Sequence, residues 1–469
     1  METHKLEILA GIGIAIAAYQ LFRKQDAIPS VGVFGNLEAI YLTLTKRRKE
    51  FYEKYHSKLG PIFRYGIFGS DVAIGDADEI KRIFTTTDDF GKEALKDIAT
   101  GYLDGSLLGL DTGNDHRMHR ALVQPAFGPT HLKHTAVATM EIVDQLADFW
   151  YSKVSDKPLE IDAFDAMNSV VVQVLISVLF GGNVNLVGKT EQEKTSMWGS
   201  VEKSIVPIFT LRMVVPMVLW RTFGIARYSP KVVEMRNKLE ESMMKMVENN
   251  DPNREVDRLS SALDSQKLSQ DQILTEMIGF FIAGQDTTAN TLTFMLYELG
   301  LHPDIQQKLY NEIKDFELKD ESDALRYINE FKYLDSVFKE TMRMHPLVPA
   351  IDRLVVKDTF VLGYPVRKGQ TVYCSNTFVF KSEKYYKNPE SFNPERWLAD
   401  DSNPNAYQPF DGPRNCIGQK MAVIEAKYAI VQILKRFSVQ NVEQKIHYKS
   451  MIVSTIKGAK VGILPRELA

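Results

Sequence analysis

The sequence predicts a mainly α-helical protein with small β-sheets near both ends of the chain. Helical periodicity dominates residues 138–333, whereas glycine turns alternate with β-prone residues at 60–76 and at 353–372. No Gly/Ser-rich or Pro-rich linker and no internal repeat divides the chain after its N-terminal segment. We therefore expect an N-terminal anchor and hinge at residues 1–28, followed by a single domain at residues 29–469.

The N-terminal segment has the composition of a membrane anchor. Residues 6–22 are almost wholly apolar and, as a helix, would span about 25 Å, slightly less than a hydrocarbon core of about 30 Å. Arg23 and Lys24 follow at once, which favours a cytosolic position for the rest of the chain. A cleaved signal peptide is the alternative, because residues 15–17 (Ala-Ile-Ala) resemble a cleavage site. The scarcity of cysteine argues against secretion, so we predict an uncleaved, single-pass anchor.

The overall composition excludes two further classes of protein. A formal net charge of −3, with 25% charged residues, gives no basic excess that would attract nucleic acid. Cys374 and Cys416, the two cysteines of the chain, cannot form a disulfide framework. We therefore expect no nucleic-acid partner, no disulfide scaffold, and a reducing compartment.

Cys416 lies in a glycine-rich loop directly ahead of a predicted helix that runs to about residue 436. The free N–H groups and the partial positive charge of a helix N-terminus stabilise a thiolate. Gly412 and Gly418 would let a flat, bulky molecule approach the backbone, and Arg414 could bind a carboxylate on it. These features favour a thiolate bound to a large anionic cofactor such as haem. A buried structural cysteine is the alternative on these residues alone.

The stretch FDGPRNCIGQ, residues 410–419, resembles the haem-binding signature of the cytochrome P-450 superfamily, in its eukaryotic microsomal form. The resemblance implies haem b (iron protoporphyrin IX) as cofactor and Cys416 as the axial ligand of its iron. It also implies a triangular helical body that holds the haem between an oxygen-binding helix and the cysteine-loop helix. The signature has two residues between its phenylalanine and its first glycine, whereas only Asp411 separates Phe410 from Gly412. We expect that Phe410 still shields the sulfur; a lost shield is the alternative.

Two further motifs of the family supply a charged cluster. Glu340 and Arg343 of KETMR are three residues apart on a predicted helix, which Pro346 ends, so the two side chains can pair. The motif FNPERW then supplies Arg396. The resemblance implies a buried Glu–Arg–Arg cluster that supports the fold and the haem loop. For the first pair alone, a solvated surface ion pair is the alternative.

The stretch FFIAGQDTTANTL, residues 280–292, predicts an apolar helix with polar groups at its middle. The Thr287 hydroxyl can bond the carbonyl one turn back, and Gly284 can bend the helix. On these residues alone a kinked core helix is favoured. The resemblance implies instead the oxygen-activating helix, with Asp286 and Thr287 as the catalytic residues that deliver protons. By the same resemblance, the substrate pocket is lined by Phe281, Ala283, Val348 and Ala350.

Cationic partners for the haem propionates come from two other segments. NDHRMHRALVQPAF resembles the family's Trp-x-x-x-Arg helix, with Arg120 as its arginine and His116 in place of the tryptophan. An imidazole can still donate one hydrogen bond there. Arg353, ten residues after Arg343, falls where the family places another propionate ligand. The competing interpretation is a separate metal site, since two His-x-x-His pairs lie close together: His116 and His119, and His131 and His134.

The whole resemblance implies a haem–thiolate monooxygenase that inserts one oxygen atom from O2 into a lipophilic small molecule. Electrons would come from a separate NADPH–cytochrome reductase of the diflavin type, with cytochrome b5 as a further donor. The location would be the endoplasmic reticulum membrane, with the catalytic domain cytosolic and lipid in contact with residues 205–225, an apolar stretch that prolines interrupt. The alternatives are a same-fold isomerase or dehydratase that acts on peroxides without O2, and a non-catalytic haem-binding protein.

Overall fold

The computed structural model of this chain describes residues 28–66, 71–92, 103, 105–110, 113–181, 185–189, 234, 237, 268–399, 403–410, 414–444, 446–450, 453–456 and 458–468. Three sequence predictions lie outside these residues: the anchor helix at 6–22, the lipid contact at 205–225 and the shortened loop at 411–413. Among the described residues, no helix combines the length and the apolar composition that a membrane crossing needs.

Helices make up most of the described structure, which confirms the predicted mainly α-helical body. In chain order they are α1 Gly32–Leu44, α2 Arg48–Leu59, α3 Ala77–Thr85, α4 Asn114–Val123, α5 Pro129–Tyr151, α6 Ala163–Phe180, α7 Gln270–Leu301, α8 Pro303–Ile313, α9 Ala324–Glu330, α10 Lys332–Met344, α11 Asn376–Phe380 and α12 Gln419–Arg436. Short 3-10 helices lie at Gln124–Phe127, Glu321–Asp323, Pro394–Trp397 and Arg466–Leu468.

The described strands form small sheets. They are β1 Ile62–Tyr65, β2 Asp71–Ile74, β3 Phe90–Gly91, β4 Leu159–Asp162, β5 Ile351–Val355, β6 Thr359–Val361, β7 Tyr364–Val366, β8 Thr371–Cys374, β9 Phe437–Asn441, β10 Lys449–Ser450, β11 Ser454–Thr455 and β12 Lys460–Pro465. The largest described sheet has the order β1-β2-β8-β5-β3, and another has the order β4-β12-β9. The predicted hairpin at 60–76 is the antiparallel pair β1–β2, with Ile62 opposite Ile74, and β2 then pairs in parallel with β8.

Helix α7 is the longest described helix and lies within the main hydrophobic core. A capping box fixes its start: Ser269 Oγ accepts from the Gln272 N–H at 3.2 Å, and the Gln272 side chain accepts from the Ser269 N–H at 2.9 Å. Its 32 residues extend over about 48 Å. Helix α6 packs closely against its middle, because a Cβ on Gly284 would stand 3.2 Å from Leu175 Cδ2. This packing holds the middle of α7, where the predicted catalytic residues lie, in a fixed position.

Candidate functional site

Cys416 lies three residues before the first residue of α12. Its N–H donates to the Phe410 carbonyl oxygen at 3.0 Å, and this hydrogen bond closes the base of the loop. The thiol is exposed, yet the protein around it raises its pKa by desolvation. The N–H of Gly418 and the charges of Lys92 and Arg120 act in the opposite direction and lower the pKa of the thiol. The loop therefore brings a helix N-terminus and two cations to the sulfur.

Helix α4 is tied to the cysteine loop through Arg120. The guanidinium donates to the Asn415 carbonyl oxygen at 2.8 Å and to Asn415 Oδ1 at 2.6 Å. His116, one turn earlier on α4, is buried. Its pKa falls to about 4 because of desolvation and the nearby charges of Arg414 and Arg120. At neutral pH His116 is therefore an uncharged imidazole, which can donate a hydrogen bond but supplies no positive charge.

The other two arginines predicted to bind the cofactor have different surroundings. Arg414 Nη2 donates to the Leu110 carbonyl oxygen at 3.3 Å, so it also contacts the segment that precedes α4. Arg353 lies on β5 and is 2% exposed, with its guanidinium carbon 4.7 Å from the centre of the Phe84 ring. The structure thus brings Arg414 to the junction of the cysteine loop and α4, and places Arg353 inside the largest sheet.

The middle of α7 carries the polar groups of the predicted proton-delivery site. Thr287 Oγ1 donates to the Ala283 carbonyl oxygen at 2.7 Å, which is the bond to the preceding turn that the sequence predicts. Asp286 and Thr287 are both half-buried, whereas Ala283 is exposed. The amide of the buried Asn290 donates to the Asp286 carbonyl oxygen at 2.6 Å. This part of α7 therefore presents a hydroxyl and a carboxyl group beside an accessible alanine.

The charged cluster forms around Glu340. Arg343 donates to its carboxylate through Nε at 2.9 Å and through Nη2 at 2.8 Å, and Arg396 Nε donates at 3.0 Å. Glu340 and Arg343 are both fully buried, which excludes the surface ion pair. Trp397 Nε1 and the Asn393 N–H are further donors to the carboxylate, each at 2.9 Å. The cluster joins α10 to the 3-10 helix that precedes the cysteine loop.

The residues predicted to line a substrate pocket differ in exposure. Phe281 is fully buried within the main hydrophobic core, whereas Val348 and Ala350 are half-buried. Ala283 is the most accessible of the four. The substrate-facing role of these residues stays a prediction.

The histidines of α4 and α5 are the candidate ligands of a metal site. Two of them instead contact side chains on other helices. His119 Nε2 lies 2.5 Å from Glu276 Oε1 on α7. His134 Nε2 lies 3.4 Å from Ser177 Oγ on α6. Within the described part of the chain, no group of three or more His, Cys, Asp or Glu side chains could hold a metal ion. His119 and His134 thus connect helices to one another.

The sequence matches the family described as Cytochrome P450 over residues 27–463, which is nearly the whole chain. The chain belongs to the cytochrome P450 family. This P450 is similar to cytochrome P450 3A11 of Mus musculus, with 26% identity over 457 residues, or 90% of this chain and 87% of the mouse protein. It is similar to cytochrome P450 4c21 of Blattella germanica, with 26% identity over 472 residues (93% and 92%), and to cytochrome P450 3A9 of Rattus norvegicus, with 28% over 434 residues (85% and 83%). The protein is therefore an oxidoreductase of the monooxygenase class.

The residues around Cys416 fit the haem b that P450 proteins bind. The thiol supplies the sulfur ligand that holds iron in this family. Arg120, Arg414 and Lys92 gather positive charge at the junction of α4 and the loop, and an anionic cofactor would neutralise it. Gly418 leaves room beside the sulfur, because a Cβ there would stand 4.0 Å from Cys416 Sγ. The ligand, the charges and the open backbone thus suit the same cofactor.

Sequence reasoning missed residues that complete the contacts of this P450 site. They are Asn415, Trp397 and Glu276. Trp397 had a local signal, because it directly follows Arg396 in FNPERW and a buried tryptophan N–H usually finds an acceptor. Asn415 and Glu276 had no local sequence signal, because their partners, Arg120 and His119, lie 295 and 157 positions away along the chain.

Proposed function

We propose that this P450 inserts one oxygen atom from O2 into a lipophilic small molecule, with electrons from a separate NADPH-dependent diflavin reductase. The proposal rests on a thiol at the start of α12 combined with the Asp286–Thr287 pair of α7. Phe127 links the two parts: its ring centre lies 5.0 Å from that of Phe280 on α7, and its Cε1 lies 3.9 Å from where a Cβ on Gly418 would stand. An isomerase or dehydratase that acts on peroxides needs no such proton delivery, so the pair favours the monooxygenase.

Cys416 is the residue proposed to bind the iron. Haem b, when bound, supplies the redox chemistry that activates dioxygen. The protein places the sulfur beside a hydrogen-bond donor and two cations. The Gly418 N–H and these cations act to lower the pKa of the thiol, but desolvation by the surrounding protein outweighs them and leaves that pKa raised. Arg120 contributes twice, since it also holds Asn415 beside the cysteine.

Asp286 and Thr287 are proposed to deliver protons. The Thr287 hydroxyl donates to the Ala283 carbonyl, so the lone pairs of its oxygen are left to accept from a water molecule. The half-buried Asp286 carboxyl can exchange protons with solvent next to it. Asn290 holds the Asp286 carbonyl oxygen and so fixes the backbone of the pair.

Thr287→Ala is expected to lower the fraction of NADPH electrons recovered in product by about tenfold, with the balance released as hydrogen peroxide. Asp286→Asn should instead slow NADPH oxidation itself, by about 10- to 100-fold. NADPH, peroxide and product are measured in one reaction with the reductase. Thr293→Ala is the matched control, because the buried Thr293 makes the same bond, at 2.7 Å, to the Ala289 carbonyl and should not affect coupling.

The substrate for this assay is found by screening lipid-extract fractions for a shift in haem absorbance. Unchanged coupling in both variants would make α7 a structural helix only. Conversion of a peroxide without NADPH and O2 would then favour the isomerase, and binding without any turnover would favour the non-catalytic haem protein.

The electron donor is proposed to bind where α4 and the start of α12 flank the cysteine loop. Exposed side chains there include Arg117, Met118 and Lys420. Exposed cations near an exposed apolar side chain suit an acidic partner, either the diflavin reductase or cytochrome b5. Arg120 of α4 contacts Asn415, the residue before Cys416, so this face adjoins the cysteine.

The enzyme is proposed to lie at the endoplasmic reticulum membrane, with its catalytic domain on the cytosolic side. Helix α1 follows the apolar N-terminal segment and exposes an apolar stripe of its own. Phe34 is 87% exposed, Tyr41 56% and Leu44 49%, and their spacing of seven and three residues puts them on one helix face. An apolar face beside an apolar anchor suits a lipid surface.

A protein that lacks residues 1–28 is expected to keep residual binding to liposomes, measured by co-sedimentation. Glu substitutions at Phe34 and Leu44 should then reduce that binding, because they place charges on the apolar stripe; the predicted lipid contact at residues 205–225 would account for any binding that remains. Leu398→Glu is the matched control, since Leu398 is 54% exposed and lies outside α1. If the shortened protein ignores liposomes from the start, α1 makes no lipid contact.

A further inference from the structure

Glu276 of α7 joins three segments of the chain through one buried carboxylate. It is 1% exposed, and its Oε1 accepts from the Leu107 N–H at 2.7 Å and lies 2.5 Å from His119 Nε2. Since this oxygen is an acceptor, the His119 ring donates from Nε2. One side chain of α7 thus holds both α4 and the segment at residues 103–110.

The 103–110 segment packs along α7, as far as its described residues, 103 and 105–110, show. A Cβ on Gly279 of α7 would stand 3.5 Å from Leu103 Cδ2. At the other end of the segment, the Leu110 carbonyl oxygen accepts from Arg414. The segment is therefore held at its middle by the Glu276 carboxylate and at its end by the cysteine loop.

The face of α7 that carries Glu276 also carries the proposed catalytic threonine. Ala283 and Thr287 follow Glu276 by seven and eleven residues. On an α-helix, both positions point within about 20° of the direction of Glu276. The two residues lie about 10 Å and about 16 Å from Glu276 along the axis. The segment and α4 therefore contact α7 on the same helix face as Thr287, about three turns before it.

We propose that Glu276 is a positioning residue for substrate selection. By holding His119 and Leu107, its carboxylate sets the separation between α7 and the 103–110 segment, and so the width of the substrate cavity. The inference rests on the proposed function, because only a P450 that binds haem and substrate here has that cavity. A long ligand meets the segment, whereas a small ligand that reaches only the cofactor does not.

The alternative is that the contact between Glu276 and His119 only stabilises the fold. A second buried contact on α7 provides a control for this alternative. Glu298 is also buried, and its Oε1 lies 2.6 Å from Nε2 of the buried His345. It stands about 33 Å from Glu276 along the helix axis. Glu298→Ala therefore removes the same kind of buried contact between a carboxylate and an imidazole, far from the 103–110 segment.

The test uses the full chain loaded with haem and two probes, imidazole and 1-dodecylimidazole, whose dissociation constants are read from the shift of the Soret band. Glu276→Ala and His119→Phe should change the ratio of the two constants by at least about tenfold, with the constant for imidazole unchanged. Glu276→Gln should give a ratio between those of the unmodified protein and Glu276→Ala, because glutamine keeps an acceptor for the Leu107 N–H. Glu298→Ala should lower the thermal unfolding midpoint and leave the ratio unchanged.

A ratio in Glu276→Ala and His119→Phe equal to that of the unmodified protein would overturn the proposal and leave a purely structural pair. His119→Phe fills a similar volume, so it decides the question even if Glu276→Ala does not fold. The proposed function is judged separately, by the ferrous carbonyl spectrum of the unmodified protein, so the two failures are distinguishable.

Discussion

Cys416→Ser is expected to lower product formation by at least about 100-fold, the largest effect of any substitution considered. A serine hydroxyl ionises far less readily than a thiol, so serine cannot supply the thiolate ligand. The iron would lose its thiolate ligand while the surrounding arginines remain. Product per NADPH and the haem content after gel filtration are measured on the same preparation.

Cys374→Ala is the matched control for this substitution. Cys374 is the other cysteine of the chain and is buried on β8. The Cys374→Ala protein should keep both its haem content and its rate of product formation. A Cys416→Ser protein with normal turnover and an unaltered Soret band would mean that the cysteine is not the ligand.

Glu340→Ala is expected to cost about 3–5 kcal/mol of the free energy of unfolding. It leaves the guanidinium of Arg343, which is fully buried, without its carboxylate, and it removes a partner of Arg396. Arg343 would keep the bonds from Nη1 to the Phe380 and Pro389 carbonyl oxygens, but its Nε would lose the carboxylate acceptor and its charge would be unpaired. Urea unfolding and the yield of haem-loaded protein report the loss.

Glu395→Ala provides the comparison on the neighbouring 3-10 helix. Glu395 pairs with Lys308 at 2.6 Å, but both side chains are exposed, so this pair adds little stability. Its urea midpoint should stay close to that of the unmodified protein. Equal midpoints for Glu340→Ala and Glu395→Ala would contradict a supporting role for the buried cluster.

The parts of the site that could be predicted are those formed by residues close together in the sequence. Glu340 and Arg343 are one helical turn apart, so their spacing alone makes pairing possible. The bond from Thr287 to the Ala283 carbonyl is likewise a property of one helix. The hairpin β1–β2 follows from alternating glycines and β-prone residues within one stretch.

Contacts between distant segments could not be predicted in the same way. The parallel pairing of β2 with β8, and the bond between His119 and Glu276, depend on how whole helices and sheets pack. A single sequence carries no periodicity for such contacts. The burial that lowers the pKa of His116 to about 4 is also a result of packing, so its neutral state could not be read from the residue type.

The loop before Cys416 is the point at which the sequence departs from the family signature. Phe410 is half-buried, packs against the main hydrophobic core, and accepts from the Cys416 N–H through its carbonyl oxygen. These contacts support the proposal that Phe410 still shields the sulfur although one residue is missing. Insertion of one glycine after Phe410 should therefore bring no improvement in the thiolate spectrum.

The ferrous carbonyl spectrum of the unmodified, haem-loaded protein tests the central claim most directly, namely that the Cys416 thiolate binds the iron. A stable and strongly red-shifted Soret band is the expected result, because only a thiolate ligand produces it. A Soret band like that of a haem bound by imidazole or by a neutral thiol would contradict the claim.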